Sequence, residues 1–238
     1  MHPSRSAALL ATVLNLAVTV QAQPPGLEDL LVKSQMRMEG VMDAPISVSV
    51  FTGRALEDLS ARDLGDLGRF AAGVETNSHT SLQTLYTIRG VQPGDLTAGS
   101  DPAVTLYVDG VYAAREGATG SALVDVERVQ VLRGPQGVLY GRNALAGAVD
   151  MRSQRPGLNQ HGRLQFTLGH YDRIDGELIY NQPISDGFSF RLVASSRQRE
   201  PYMDSLSGRQ LNADEQQLFR LTLLWLAGDR TEFLWRSE

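Results

Sequence analysis

From residue 160 onward, apolar and polar side chains alternate with a period of two. Leu164, Phe166 and Leu168 stand against Arg163, Gln165 and Thr167. Ile174, Leu178 and Tyr180 share a face with Gly176, against Asp175, Glu177 and Asn181. Phe188, Phe190, Leu192 and Ala194 alternate with Ser189, Arg191, Ser195 and Arg197, and Phe219, Leu221, Leu223 and Trp225 with Arg220 and Thr222. Phe233 and Trp235 continue opposite Glu232 and Arg236. Successive side chains of a strand point to opposite faces, so this text predicts about five strands, each with an apolar and a polar face. Asp186-Gly187 and Gly228-Asp229 are tight-turn signals, residues 171–173 a short connection, and residues 200–214 a long polar loop. A soluble sandwich gives similar alternation. The contrast of tight turns with a long loop favours a transmembrane barrel, apolar face outward and polar face inward.

Before residue 156 the pattern is mixed. Residues 43–51 alternate after a proline, with Ile46, Val48 and Val50 on one face, and predict a strand. Leu56 and Leu59, then Leu64, Leu67 and Phe70, fall at helical spacing; Gly73 is a stop signal, and these five apolar residues are expected in a core. Residues 85–91 and 104–108 read as strands, with loops at 92–102 and 115–123. Asp109-Gly110 is a strong two-residue hairpin signal leading into Val111 and Tyr112.

Residues 125–152 organise this half. Val126, Val129 and Val131 predict a strand that Gly134-Pro135 ends. Gly137, Gly141 and Gly147 follow, then a short β run at 148–151. Glycines this close suit tight turns or close backbone approach. They are not a phosphate loop, which needs Gly-Lys-Ser or Gly-Lys-Thr before a helix. The string VERVQVLRGPQGVLYGRNALAGAV closely resembles the last segment of the plug domain of TonB-dependent outer-membrane receptors, and TLYVDGVY also resembles that plug.

The resemblance implies an α+β plug domain, a small mixed β-sheet with short helices, over residues 43–155. The first antiparallel strands of an incomplete transmembrane β-barrel would follow over residues 160–238. Family barrels have roughly 22 strands, and five cannot close. The chain is therefore expected to be a fragment or the product of a truncated gene. The resemblance also implies motif residues Gly90, Asp109, Gly110, Gly134, Pro135, Tyr140, Gly141 and Gly147. Arg89 and Arg133, each before a glycine, would pair with glutamates on the barrel wall beyond residue 238 and lock the plug. The planar guanidinium fork suits that task.

Residues 23–42 read as a flexible lead. In it Glu28, Asp29, Leu30, Leu31, Val32, Lys33 and Ser34 stand where the family carries its TonB box, a segment that adds as a strand to the energy-transducing protein TonB. Lys33-Ser34 departs from the family's pattern; an inert linker would also carry three aliphatic residues. Residues 1–22, with an apolar run from Ala7 to Val20 and Ala22 at the end, read as a secretory signal peptide cleaved after Ala22. The run is shorter than the ~20 residues a bilayer needs.

Composition narrows the chemistry. A formal net charge of -5 argues against a nucleic-acid partner. The absence of cysteine excludes disulfides and thiol catalysis. The four histidines have no metal-ligand spacing, and no nucleophile–base motif appears, so no metal, cofactor or enzyme activity is expected. The expected partners are TonB, outer-membrane lipid and a small solute, most often an iron–siderophore complex, for a monomer in the outer membrane of a Gram-negative bacterium. The alternative is a periplasmic module that engages TonB without transport.

Overall fold

The computed structural model describes residues 31–34, 37–40, 46–80, 83–92, 101–113, 122–204, 210–211, 213–228 and 231–238. A hairpin of β1 (Leu31–Ser34) and β2 (Arg37–Gly40) comes first, so part of the lead expected to be flexible is paired with itself.

The first sheet is mixed. It is built from β3 (Ser47–Thr52), β6 (Val104–Val108), β7 (Val111–Tyr112), β8 (Val126–Arg133) and β9 (Gly147–Ser153), in the order β3-β8-β9-β6-β7. Only the β6–β9 pair is parallel. Strand β8 is an interior strand, between β3 and β9, and is buried on both faces: Val129 and Val131 point one way, Gln130 and Leu132 the other. The first face is covered by three further pieces. These are α1 (Gly53–Asp58), a 3₁₀ turn (Leu64–Arg69), and a separate hairpin of β4 (Val74–Thr80) and β5 (Gln83–Ile88). Their Leu56, Leu64, Leu67, Val74, Tyr86 and Ile88 close a core over Val104, Leu106, Val129, Val131, Val149 and Met151. Removing side chains of this size from water stabilises by about 1.5–3 kcal/mol each. The second face packs Leu132 and Ala148 under Tyr140 of α2 (Gly137–Tyr140) and Ala144.

Three expectations need correction here. Leu59 and Phe70 are 40% and 37% exposed, not core. Helix α1 stops after six residues, with Leu59 as its C-cap, and the second segment is a 3₁₀ turn, so a long helix's spacing does not apply. Strand β4 was not expected at all, nor was α2. The loop over residues 200–214 contains the short pair β13 (Met203–Asp204) and β14 (Gln210–Leu211).

The second sheet is wholly antiparallel. It runs β10 (His161–Gly169), β11 (Arg173–Ser185), β12 (Phe188–Arg199), β15 (Asp214–Leu226), β16 (Glu232–Ser237), in that order. Its ends do not meet. The registered row Leu164–Leu178–Ala194–Phe219 and the row Phe188–Trp225–Phe233 lie on its outer face. Phe166, Leu168 and Phe219 stand 71%, 78% and 61% exposed there, although they are among the most apolar residues of the chain. Ser189, Arg191, Val193, Ser195, Arg220 and Thr222 face inward and are buried, and Arg191, Val193 and Arg220 among them touch the first unit. Apolar-out and polar-in is the pattern the alternation predicts.

Candidate functional site

The two units meet along a seam of charge around a small apolar centre. Val124 of the first unit lies fully buried against Ile179 and Val193 of the second, with Ala122 and Leu218 beside them. Around this centre, arginines reach from the wall sheet to the first unit. Arg191 holds Asp125 with both arms of its fork, Nε to Oδ2 at 2.7 Å and Nη2 to Oδ1 at 2.5 Å. Asp125 takes a φ of +54°, a conformation aspartate tolerates better than most residues, just before β8 begins. Arg220, 2% exposed, donates to the Val124 carbonyl at 3.2 Å and to Glu238 at 3.0 and 3.1 Å. Arg236 pairs with Asp109. Arg163 bridges Glu57 of α1 and Glu177 of its neighbouring strand, at 2.6 and 2.5 Å. Further along, Arg197 donates to the Arg62 carbonyl at 2.8 Å, and Arg62 reaches Asp175 at 3.4 Å. Charge-assisted, forked bonds in a dry seam are strong and geometrically selective.

Asp109 serves two ends. With Gly110 it makes the tight turn from β6 to β7, at φ +52° and +85°. Its carboxylate also accepts from the Ser153 backbone and hydroxyl, both at 2.8 Å. Burial pushes its pKa upward, but the bonds from Arg236 and Ser153 prevail and hold it below the ordinary carboxylate range.

Arg133, at the end of β8, turns back into its own unit. It donates to the Ala72 carbonyl at 2.7 Å and to the hydroxyls of Ser47 and Ser49 at 3.4 and 2.6 Å. Burial, with Arg89 nearby, lowers its pKa. Arg89 sits at φ +52° in the turn that closes on Gly90 at +76°, and a Cβ added to Gly134 would lie 3.5 Å from its guanidinium. Sequence reasoning thus singled out two arginines that the fold brings together, in a place the wall strands described do not reach. Gly134 (φ +92°) and Gly141 (φ +72°) occupy conformations that favour glycine, and Pro135 follows on the exposed surface. Tyr140 is buried over Tyr107, whose hydroxyl donates to the Tyr140 carbonyl at 3.0 Å. Burial, reinforced by Asp150, pushes the Tyr140 phenol up to about 12. Gly147 admits no side chain: a Cβ there would come within 2.3 Å of the Leu132 carbonyl oxygen. Of the candidate box, Leu31, Val32, Lys33 and Ser34 form β1, whereas Glu28, Asp29 and Leu30 lie outside the described residues, as do residues 1–22.

The wall arginines were missed as a group. In the sequence they were only the polar half of an alternation. The signal available was their recurrence at inward positions of different strands, at Arg163, Arg191, Arg220 and Arg236. Among the described residues no group of acidic, histidine or cysteine side chains could hold a metal ion.

Comparison with known proteins agrees with this architecture. The family described as TonB-dependent Receptor Plug Domain matches residues 40–148. The pesticin receptor of Yersinia enterocolitica is 31% identical over 199 residues, which is 83% of this chain and 29% of that protein. The ferrioxamine receptor of the same species is 26% identical over 198 residues, 81% of this chain and 26% of its own length. Among solved structures, the ferric yersiniabactin uptake receptor of Yersinia pestis superposes with a TM-score of 0.73 at 26% identity, over 80% of this chain and 30% of that one. The ferripyoverdine receptor of Pseudomonas aeruginosa shares the fold, with a TM-score of 0.73 at 19% identity over 86% of this chain and 26% of its own. The chain thus spans under a third of the length of these relatives.

Proposed function

This chain belongs to the TonB-dependent receptor family, and on that premise we propose that it is the plug and first wall strands of an outer-membrane receptor that takes up an iron–siderophore complex. The observation that carries the reading is the two-faced second sheet. Its outer side is apolar where none of the described residues covers it, and its inner side is clasped by charge to the plug unit. Such a face belongs in lipid. A plug folding alone in the periplasm would leave that face in water, which disfavours the non-transporting module. The relatives' names speak of pesticin, ferrioxamine and ferric yersiniabactin.

In this reading the cargo binds at the face of the long loop over residues 200–214, with plug residues 92–102 and 115–123. TonB grips Glu28, Asp29, Leu30, Leu31, Val32, Lys33 and Ser34 by strand addition and pulls. The pairing of β1 with β2 fits a segment that is β-capable yet has only a two-stranded hairpin to exchange. Residues 1–22 act as the export signal. Arg89 and Arg133 lock the plug to glutamates of wall strands outside this sequence, and the electrostatic influence of Arg89 on Arg133 puts the two cations near one another. Exchange of Leu31 for proline in the full-length receptor removes a ladder donor from the box. Growth on ferric siderophore as sole iron source should then fall to the level of a TonB-deficient strain, with the receptor still in the outer-membrane fraction. Undiminished growth would remove the box assignment.

A further inference from the structure

Three wall arginines sit together on the inward face. Arg191 is registered with Thr222, and Thr222 with Arg236, while Arg220 lies one inward step along β15. Adjacent strands are about 4.8 Å apart, so Arg191 and Arg236 are roughly 10 Å apart across the sheet. Two other wall arginines find wall carboxylates, Arg163 at Glu177 and Arg173 at Asp175, while Arg197 donates to the Arg62 carbonyl. In this cluster Arg220 alone finds a wall carboxylate, and Arg191 and Arg236 do not. Its inward neighbours in register are Asn181, Thr222 and Val193, all uncharged. Among the described residues, Glu238 beside Arg220 is the one wall acid it meets. Arg191 and Arg236 take their counter-charges from Asp125 and Asp109, which belong to the plug. Arg236 also keeps a buried Nη2 with no hydrogen-bond partner among the described residues.

A plug that shifts takes both aspartates with it. Buried cations stripped of their partners are strongly unfavourable until another anion arrives. We propose that Arg191, Arg220 and Arg236 form a second anion site on the wall, covered at rest by Asp109 and Asp125 and occupied during passage by the anionic groups of the cargo, a polycarboxylate-like ligand. The fork of Arg191 already holds a carboxylate in the geometry such a ligand needs. The site rests on the transport reading and adds a station below the outer binding face. It selects for anionic over neutral cargo and eases plug displacement as cargo replaces the aspartates.

The test uses citrate as probe on the purified full-length receptor, by calorimetry. Asp109→Asn together with Asp125→Asn removes the plug's counter-charges from the cluster at nearly unchanged side-chain volume, so that an added anion competes with neutral amides in place of carboxylates. Citrate should bind this variant at least about tenfold more tightly than the parent, with affinity falling as salt rises. Arg191→Gln or Arg236→Gln in that background should abolish the gain. Equal citrate affinity in parent and double variant, with unchanged circular dichroism, overturns the proposal. So does a gain that survives both arginine substitutions. If the double variant fails to fold, each single aspartate variant is read the same way, and no gain in either overturns it. Uptake of ferric siderophore by the unaltered receptor is scored separately. Its absence alongside arginine-dependent citrate binding refutes transport and leaves the site standing.

Discussion

Asp150 is the least comfortable side chain of the plug. It is buried in β9, registered against Gln130 and Tyr107, and its Oδ1 has no hydrogen-bond partner among the described residues. Burial raises its pKa, and Arg152 and Arg128 only partly offset this. A raised carboxylate pKa means the folded state holds a proton that the unfolded chain has lost. Stability therefore falls as pH climbs from the ordinary carboxylate range through the raised folded value. Asp150→Asn should flatten that slope, raising the denaturant midpoint at neutral pH and leaving it unchanged at pH 3. An equal gain at both pH values would show that charge is not the cause. Asp109 has the opposite sign: its lowered pKa contributes stability that is lost as pH falls through the depressed value. Gly147 tests packing. Its absent Cβ leaves room for the Leu132 carbonyl and the Ile88 side chain, the latter at 2.8 Å from where a Cβ would stand. Gly147→Ala should cost about 1–3 kcal/mol or more in urea unfolding, because both neighbours belong to packed β structure.

At the scale of elements, what was legible in the chain follows from how local the cause is. The alternation after residue 160 is a local pattern, and each strand of the wall appeared where the period-two text stood. The Asp109-Gly110 turn is equally local, set by two residues that accept positive φ. Strand β4 was invisible because Glu75, Asn77, Ser78 and His79 give it no continuous apolar face; its pairing with β5 defines it. The parallel β6–β9 pair joins residues some forty positions apart, and no short window records that. The wall–plug clasp was unreadable for the same reason, since Arg191 and Asp125 are 66 residues apart. Polarity was also unforeseen. The family resemblance pointed to plug arginines on wall glutamates, whereas most contacts seen join wall arginines to plug carboxylates at a different edge, with Arg62 on Asp175 the reverse case. The apolar centre of this seam can be tested without touching any charge. Ile179→Ala, at a position 3% exposed, should cost about 2–5 kcal/mol. Limited proteolysis of the folded receptor should then cut the plug faster than the wall.

For the whole molecule, the decisive question is which solvent the outer face of the second sheet meets. Both tryptophans of the chain, Trp225 and Trp235, lie on that face, about half exposed, with Trp225 stacked on Phe233 at 5.4 Å. They occupy neighbouring rows close to the turn that joins β15 to β16. Tryptophan and tyrosine concentrate where a barrel wall leaves the hydrocarbon and enters the headgroups. Phe219 stands six residues back along the same strand and the same face, toward the middle of β15. Lipid acyl chains brominated near the headgroup should therefore quench Trp225 and Trp235 in reconstituted receptor, more than chains brominated near the methyl end. Variants lacking each tryptophan separate these two from any others in the full-length protein. Iodide in the aqueous phase should have little effect. Phe219→Arg tests the deeper row of the same face, where a charge at the bilayer midplane costs about 2–4 kcal/mol of folding into lipid, shrinking toward zero near the interface. Quenching by iodide in place of brominated lipid, together with a neutral Phe219→Arg, would place this face in water. The charge clasp on the inner side would then join two soluble sheets, and the transport reading would have lost its support.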